Sequence, residues 1–242
     1  MTVYAYDSVA VGPSLGLVVL QVDETIEGDM RTLLGDAQLF VSRVPSGAEV
    51  TPETLAEMAA HLGTAAALLP PSADMAALAY GCTSGAAQIG SAQVARLVRQ
   101  GRAVQTVTDP VTALIAACRH LGISRLALLS PYVAAVSDRL RTVLEAEGIA
   151  TPVFGSFAEA EEAKVVRIAP GAIIDAARDL CAGADVDGLF LSCTNLRTLP
   201  VIAPLEAALD LPVLSSNVVL AWHMSQLSGL AARGPGRLLA GH

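Results

Sequence analysis

Short apolar runs recur along the chain at 15–20, 77–80, 103–107, 125–129, 188–191 and 212–214. Each is followed by small polar residues and then by a stretch with helical spacing: 52–62, 87–100, 110–121, 137–147, 170–181 and 218–230. Apolar residues that run continuously rather than alternate predict strands buried on both faces, the habit of parallel sheets flanked by helices. Such strands alternating with helices predict an open α/β architecture. The strand ends lead into Gly, Ser, Thr, Asp or Asn, residue types that also cap helix N-termini. Ligands of parallel α/β sheets gather beyond the carboxyl ends of the strands, so these polar segments are where chemistry is sought.

An internal repeat sharpens the picture. LGLVVLQVDET (15–25) resembles SRLALLSPYVA (124–134), which sets Asp23 opposite Tyr132 at an offset of 109. AYGCTSG (79–85) resembles FLSCTNL (190–196) and sets Cys82 opposite Cys193 at an offset of 111. AVQTVTDP resembles PVLSSNVV, with Thr108 opposite Ser216 at an offset of 108. Three ordered matches at nearly one offset predict two similar α/β units. Such units facing one another would present the two cysteines to one ligand from opposite sides.

Composition narrows the function classes. The chain has 242 residues, 53% of them hydrophobic, and a net charge of −8. It carries only four Phe, four Tyr and one Trp. It offers neither the basic stripe nor the stacking surface that nucleic acid needs. The uncharged stretches 75–95 and 211–232 are interrupted by Gly, Ser, Thr, Pro, Asn, Gln and His, so neither reads as a membrane span. The N-terminus lacks a basic n-region, and the four cysteines (82, 118, 181 and 193) form no close-spaced pair. Together these predict reduced thiols in a cytoplasmic protein.

Cys82 lies in Gly81-Cys82-Thr83-Ser84-Gly85, after a strand and before a helix. Glycines admit close backbone approach, and amides at a helix start favour anions and lower a thiol pKa. Taken alone, Cys82 reads equally as a small buried residue at a turn. Cys193, in Ser192-Cys193-Thr194-Asn195, has the same two readings, and it is the matched pair that points to function. Cys118 and Cys181 fall in helical stretches and read as core. Asp23 is either a helix cap or a carboxylate facing the cleft, and Tyr132 either a cover for the sheet edge or a phenol donor. Arg197 either pairs with a carboxylate or lies on the surface. The histidines at 61, 120, 223 and 242 have no metal-binding spacing. No G-x-S-x-G elbow is read in the chain, and no nucleotide-binding loop of the Walker or Rossmann type occurs.

The ordered motifs VLQVDETIE, YGCTSG, SPY and SCTNLRT resemble the Asp/Glu racemase superfamily, in its branch of maleate cis–trans isomerases and arylmalonate decarboxylases. Within that branch they look closest to the ectoine-utilisation protein A group. The resemblance spans about residues 15–225 and implies two Rossmann-like parallel-sheet domains related by a pseudo-twofold axis. It places the active site in the cleft between them, without cofactor or metal. It suggests a first domain of 1–110 plus a returning segment 218–242, a second domain of 111–217, and a homo-oligomer. Cys82 and Cys193 match the family's catalytic cysteines and Tyr132 a substrate-binding tyrosine. Thr83, Ser84, Thr194 and Asn195 match loops that hold carboxylate oxygens. One departure concerns Asp23, which stands where maleate isomerases have an Asn that binds a carboxylate, and whose charge would repel maleate. The branch's decarboxylases keep only the equivalent of Cys193.

The expected function is therefore a cofactor-independent isomerase or racemase for a small, amino-acid-like carboxylate. One cysteine removes a proton or adds to a double bond while the other manages the returning proton. Maleate isomerisation, decarboxylation and small-acid binding are the alternatives. Both cysteines are expected to line one cleft and to alkylate faster than Cys118 and Cys181.

Overall fold

The structure, a computed structural model, describes residues 1–8 and 12–240. The last two residues of the 218–242 segment, including His242, lie outside that range. The first half of the chain forms strands β1 (Ser14–Leu20), β2 (Gln38–Val44), β3 (Met75–Gly81) and β4 (Val107–Thr108). The second forms β5 (Arg125–Ser130), β6 (Ala150–Ser156), β7 (Gly188–Leu191) and β8 (Val213–Ser215). Each set makes one parallel sheet, in the orders β2-β1-β3-β4 and β6-β5-β7-β8. The repeat extends to register: Val18 pairs with Tyr80 in the first sheet, and Leu128 with Phe190 in the second. The fold is thus α/β, with one four-stranded parallel sheet built twice.

Central strands β1 and β7 are buried along their whole length, as their unbroken apolar runs predict. The pattern does not announce β2 and β6, QLFVSRV and ATPVFGS. Both are edge strands with mixed burial, and a strand covered less completely needs no continuous apolar run. The expected strand 103–107 shrinks to β4, whose pairing reaches only Leu78 and Ala79.

Among the helices, α6 (Pro110–Leu121) and α9 (Pro170–Cys181) keep the expected bounds. Asp109 explains the start of α6: its Oδ1 accepts the Val111 and Thr112 amides at 2.9 and 3.1 Å, and Pro110 needs no partner there. The expected helix 52–62 is broken into α2 (Pro52–Glu57), a 3₁₀ turn (Met58–Ala60) and α3 (Leu62–Ala67). The stretch at 87–100 starts earlier, as α4 (Thr83–Ile89), and resumes as α5 (Ser91–Gly101). Gly90, at φ 91°, separates the two in a conformation that costs glycine little. Helices α1 (Ile26–Leu34), α8 (Glu162–Val165) and α10 (Leu199–Leu209) are additional to the expected set, and α7 (Ala134–Ala146) begins ahead of its expected start. The last helix, α11 (Ser216–Ser228), leaves β8 and packs against β3, α1 and α6 of the first half.

Candidate active site

The carboxyl ends of β1, β3, β5 and β7 converge on one small cavity. Asp23 follows β1, Cys82 follows β3, Tyr132 follows β5 and Cys193 follows β7. The cavity is lined by these four, by Thr83, Ser84 and Thr194, and by Leu20, Val22 and Glu162. Its volume is about 10 Å³, the room of about one water molecule, so the site is closed. Larger clefts open on the surface near Asp36 and near Arg99, away from every one of these residues.

Contacts between the halves hold the site shut. Thr194 Oγ1 donates to Asp23 Oδ2 at 2.8 Å, and Thr83 Oγ1 donates to Ser216 Oγ at 2.7 Å. Asn195 Oδ1 accepts the Glu24 amide at 2.9 Å, and Arg167 pairs with Glu24 at 2.9 Å. Above the cavity, the Glu162 amide donates to the Ala48 carbonyl and the Val50 amide to the Ala160 carbonyl.

Cys82 is the N-cap of α4, and its Sγ accepts the Gly85 amide at 3.2 Å. Gly85 is required by space, because a Cβ there would sit 2.4 Å from the Tyr80 hydroxyl and 3.0 Å from Cys82 Sγ. Cys193 is held differently. Its φ of 114° lies in the left-handed region that L side chains rarely occupy, a strain of the kind stored at functional sites. Its own amide donates to Ser216 Oγ at 3.0 Å, and its Sγ accepts the Asn195 amide at 3.3 Å. Tyr132 Oη lies 2.9 Å from that sulfur.

The expectation that helix-start amides would lower both thiol pKa values is overturned. Burial is the largest influence on each: it pushes Cys82 up to about 12 and Cys193 well above the ordinary thiol range. The carboxylates of Glu162 and Asp23 push the same way, and the single amides on each sulfur do not compensate. Cys193 moreover precedes a turn, not a helix. Burial also pushes Cys118 up to about 12 and raises Cys181, which leaves no basis for faster alkylation of the cleft thiols in the closed form.

Asp23 combines its two readings. Oδ1 accepts the Thr25 and Ile26 amides, both at 2.8 Å, at the start of α1, while its carboxylate also lines the cavity. Burial raises its pKa despite these donors. Asn195 does not line the cavity; its side chain is spent on the Glu24 amide and on Glu162 Oε2, to which Nδ2 donates at 2.8 Å. Arg197 is exposed and donates to the Val166 carbonyl at 3.1 Å rather than to a carboxylate. Cys118 is core, as expected, and Cys181 is buried on α9.

Sequence reasoning missed Glu162, which is 3% exposed. Its Oε1 accepts the Tyr132 hydroxyl at 2.5 Å, and burial raises its pKa most. No repeat or motif marks it, and its only signal is a run of acids, 159, 161 and 162, in a segment that reads as solvated. Ser14, within Gly12-Pro13-Ser14-Leu15-Gly16, fits the G-x-S-x-G spacing but opens β1 instead of ending a strand, and its hydroxyl donates to the Asp74 carbonyl at 2.8 Å. Among the described residues no group of three or more His, Cys, Asp or Glu could hold a metal ion. Nor is any helix among them long and apolar enough to cross a membrane.

The chain is similar in sequence and fold to known proteins. The sequence is 30% identical over 240 residues to a maleate isomerase of Nocardia farcinica, covering 93% of this chain and 94% of that one. It is 27% identical to an arylmalonate decarboxylase of Bordetella bronchiseptica over 236 residues, 93% of this chain and 96% of the other. The Nocardia farcinica maleate cis–trans isomerase, solved as a cysteine-to-serine variant with a covalently bound succinylcysteine intermediate, superposes with a TM-score of 0.84. There the identity is 26%, with 94% of this chain and 98% of that one covered. The family model described as arylmalonate decarboxylase matches residues 15–239, and this chain belongs to that family.

Proposed function

We propose that the protein is a cofactor-independent isomerase or racemase of a small carboxylate bearing an ammonium group, with Cys82 and Cys193 as the paired acid and base or nucleophile. One observation carries this reading: the two cysteines stand at equivalent strand ends of a repeated sheet and line one cavity. The two units, taken as 1–110 with 218–242 and 111–217, part to admit substrate and close over it. In racemisation one thiolate takes the α-proton and the opposite thiol returns a proton to the other face. In cis–trans isomerisation one thiolate adds to the double bond, rotation follows, and the adduct collapses. The succinylcysteine of the Nocardia relative supports covalent chemistry at such a cysteine. Thr83, Ser84 and Thr194 offer hydroxyls to the substrate carboxylate.

The charge of the cavity supports the ammonium group. Asp23 and Glu162 line it and no Lys or Arg does. A dianion such as maleate meets repulsion of roughly 4 kcal/mol from one carboxylate at ~4 Å and an effective dielectric near 20. The motifs' resemblance to the ectoine-utilisation protein A group points the same way. The test is hydrogen exchange from deuterated water into diaminobutyrate derivatives, aspartate, glutamate and maleate, with carbon dioxide release measured alongside. Exchange into an amino acid supports the proposal, whereas carbon dioxide release without it favours a decarboxylase. Asp23→Asn is expected to weaken the amino acid and admit maleate; unchanged selectivity returns Asp23 to a capping role, since Asn caps as well.

A further inference from the structure

The direction of the hydrogen bonds around Tyr132 assigns a task to Glu162. The phenol has one proton and two neighbours, Glu162 Oε1 at 2.5 Å and Cys193 Sγ at 2.9 Å. An ionised carboxylate only accepts, so the phenol proton lies toward Glu162 and the phenol oxygen accepts from the Cys193 thiol. Asn195 Nδ2 holds the other carboxylate oxygen at 2.8 Å and is itself anchored by the Glu24 amide. The chain runs from thiol to phenol to carboxylate, every link within proton-transfer distance.

We propose that Glu162 is the proton acceptor for Cys193, a positioning residue acting through Tyr132, so that the Cys193 thiolate forms by internal transfer. The proposal rests on the two-cysteine reading above. The Cys193 S–H bond breaks as its proton bonds to the Tyr132 oxygen. The Tyr132 O–H bond breaks as that proton bonds to Glu162 Oε1. Tyr132 ends unchanged, Glu162 neutral and Cys193 anionic, so the charge of the cavity is the same before and after. That constancy is the physical reason for the arrangement. Loss of the thiol proton to water would add an anion to a closed site beside two carboxylates, whereas the relay moves a charge already present. The other titratable groups that face this chain are Asp23 after β1 and Cys82 after β3, with Arg43 of β2 beyond Asp23. On its own helix, Lys164 pairs outward with Glu161. In the first half the Tyr80 hydroxyl also meets the Cys82 sulfur, but its other contact is Met58 Sδ at 3.8 Å, so no carboxylate stands behind that phenol to take a proton.

The test reads the thiol rather than turnover. The full-length protein and its Glu162→Gln, Tyr132→Phe and Asp23→Asn variants are treated with limiting iodoacetamide from pH 5 to 9, and the labelling rate of Cys193 is read by peptide mapping. The reactive and resting forms hold the same number of protons, so the unsubstituted protein is expected to show a flat segment above the Glu162 titration. Glu162→Gln and Tyr132→Phe are each expected to abolish it, leaving a rise of about tenfold per pH unit as thiolate forms by loss to solvent. Asp23→Asn keeps the segment. Slopes are compared because, unlike absolute rates, they do not depend on how often the cavity opens. A tenfold rise per unit in the unsubstituted protein, a slope unchanged in Glu162→Gln, or loss of the flat segment in Asp23→Asn overturns the proposal. A merely electrostatic Glu162 would give faster labelling in Glu162→Gln at the original slope, because its charge raises the thiol pKa. A flat segment without exchange into any substrate leaves the relay standing and removes the two-cysteine reading; exchange without the flat segment does the reverse.

Discussion

Cys82 and Cys193 end equivalent strands of equivalent sheets, yet the chain holds them in different ways. Cys82 has an extended backbone, φ −151°, and caps a helix through its sulfur. Cys193 has φ 114°, leads into a turn, and is tied to a phenol and, through it, to a buried carboxylate. The difference arises in the segment that leaves each strand. After β3 the helix begins at once, and one of its free amides, that of Gly85, donates to the sulfur. After β7 the backbone turns first, so the Cys193 sulfur takes the Asn195 amide of that turn and the Tyr132 hydroxyl from the loop after β5, with Glu162 of α8 behind the phenol. Duplication therefore supplies symmetric positions, while local sequence supplies asymmetric chemistry.

The sharpest way to break this comparison is to remove each thiol. Cys82→Ser and Cys193→Ser are expected to lower turnover by roughly 10² to 10⁴, the usual share of a positioned acid or base. In a two-base racemase each variant should still exchange the α-hydrogen of one enantiomer, and opposite enantiomers in the two cases. Chiral analysis of deuterium incorporation reads this, and equal loss for both enantiomers in both variants would argue for a covalent route.

A second contrast lies six residues beyond Asp23 and Tyr132, at Asp29 and Asp138, which are related by the same offset of 109. Burial pushes Asp29 from 3.8 up to about 6, against the donor Asn217 Nδ2 at 2.8 Å, with Asp23 repelling it and Arg197 attracting it. Asp138 is exposed and pairs with Arg141 at 3.1 Å. A carboxylate whose folded pKa is raised binds its proton more tightly when folded. Its stabilisation is therefore complete below pH 3.8 and is lost as pH rises to about 6. That window spans at most about 3 kcal/mol, less in practice because Asp29 is only half-buried. Denaturant titrations at pH 4 and pH 7 should show a larger loss in the unsubstituted protein than in Asp29→Asn, which keeps only the contributions of the other raised carboxylates, Asp23 and Glu162. Asp138→Asn should change either value by no more than about 0.5 kcal/mol.

The smallest expected effect concerns backbone strain. Glycine at 193 relieves a conformation costing about 1–3 kcal/mol, which offsets the lost packing of the thiol. Glycine at 82 relieves nothing and adds chain entropy to the unfolded state. Cys82→Gly should therefore unfold at lower denaturant than Cys193→Gly, by about 2 kcal/mol. Equal midpoints would mean that the left-handed backbone at 193 stores no strain.

Much of this was legible in the chain itself. Continuous apolar runs marked five of the six expected strands closely, the four central ones and the edge strand β8, because these are buried along nearly all their length. The repeat by itself aligns Asp23 with Tyr132 and Cys82 with Cys193. The edge strands β2 and β6 escaped because mixed burial leaves no run to read. Glu162 escaped because it has no repeat partner, and an acid in an acidic loop looks solvated until a tyrosine and an asparagine are brought to it.

The sequence by itself determined the layered α/β class, the duplication and the identity of the paired thiols, because these follow from local periodicity and from residue order. Only the tertiary structure decided the electrostatics of the site. Residues 132, 162 and 193 meet within hydrogen-bond reach, as do 23 and 194, although they are far apart along the chain. Desolvation depends on everything packed around a group, so it reversed the thiol shift that local motifs implied.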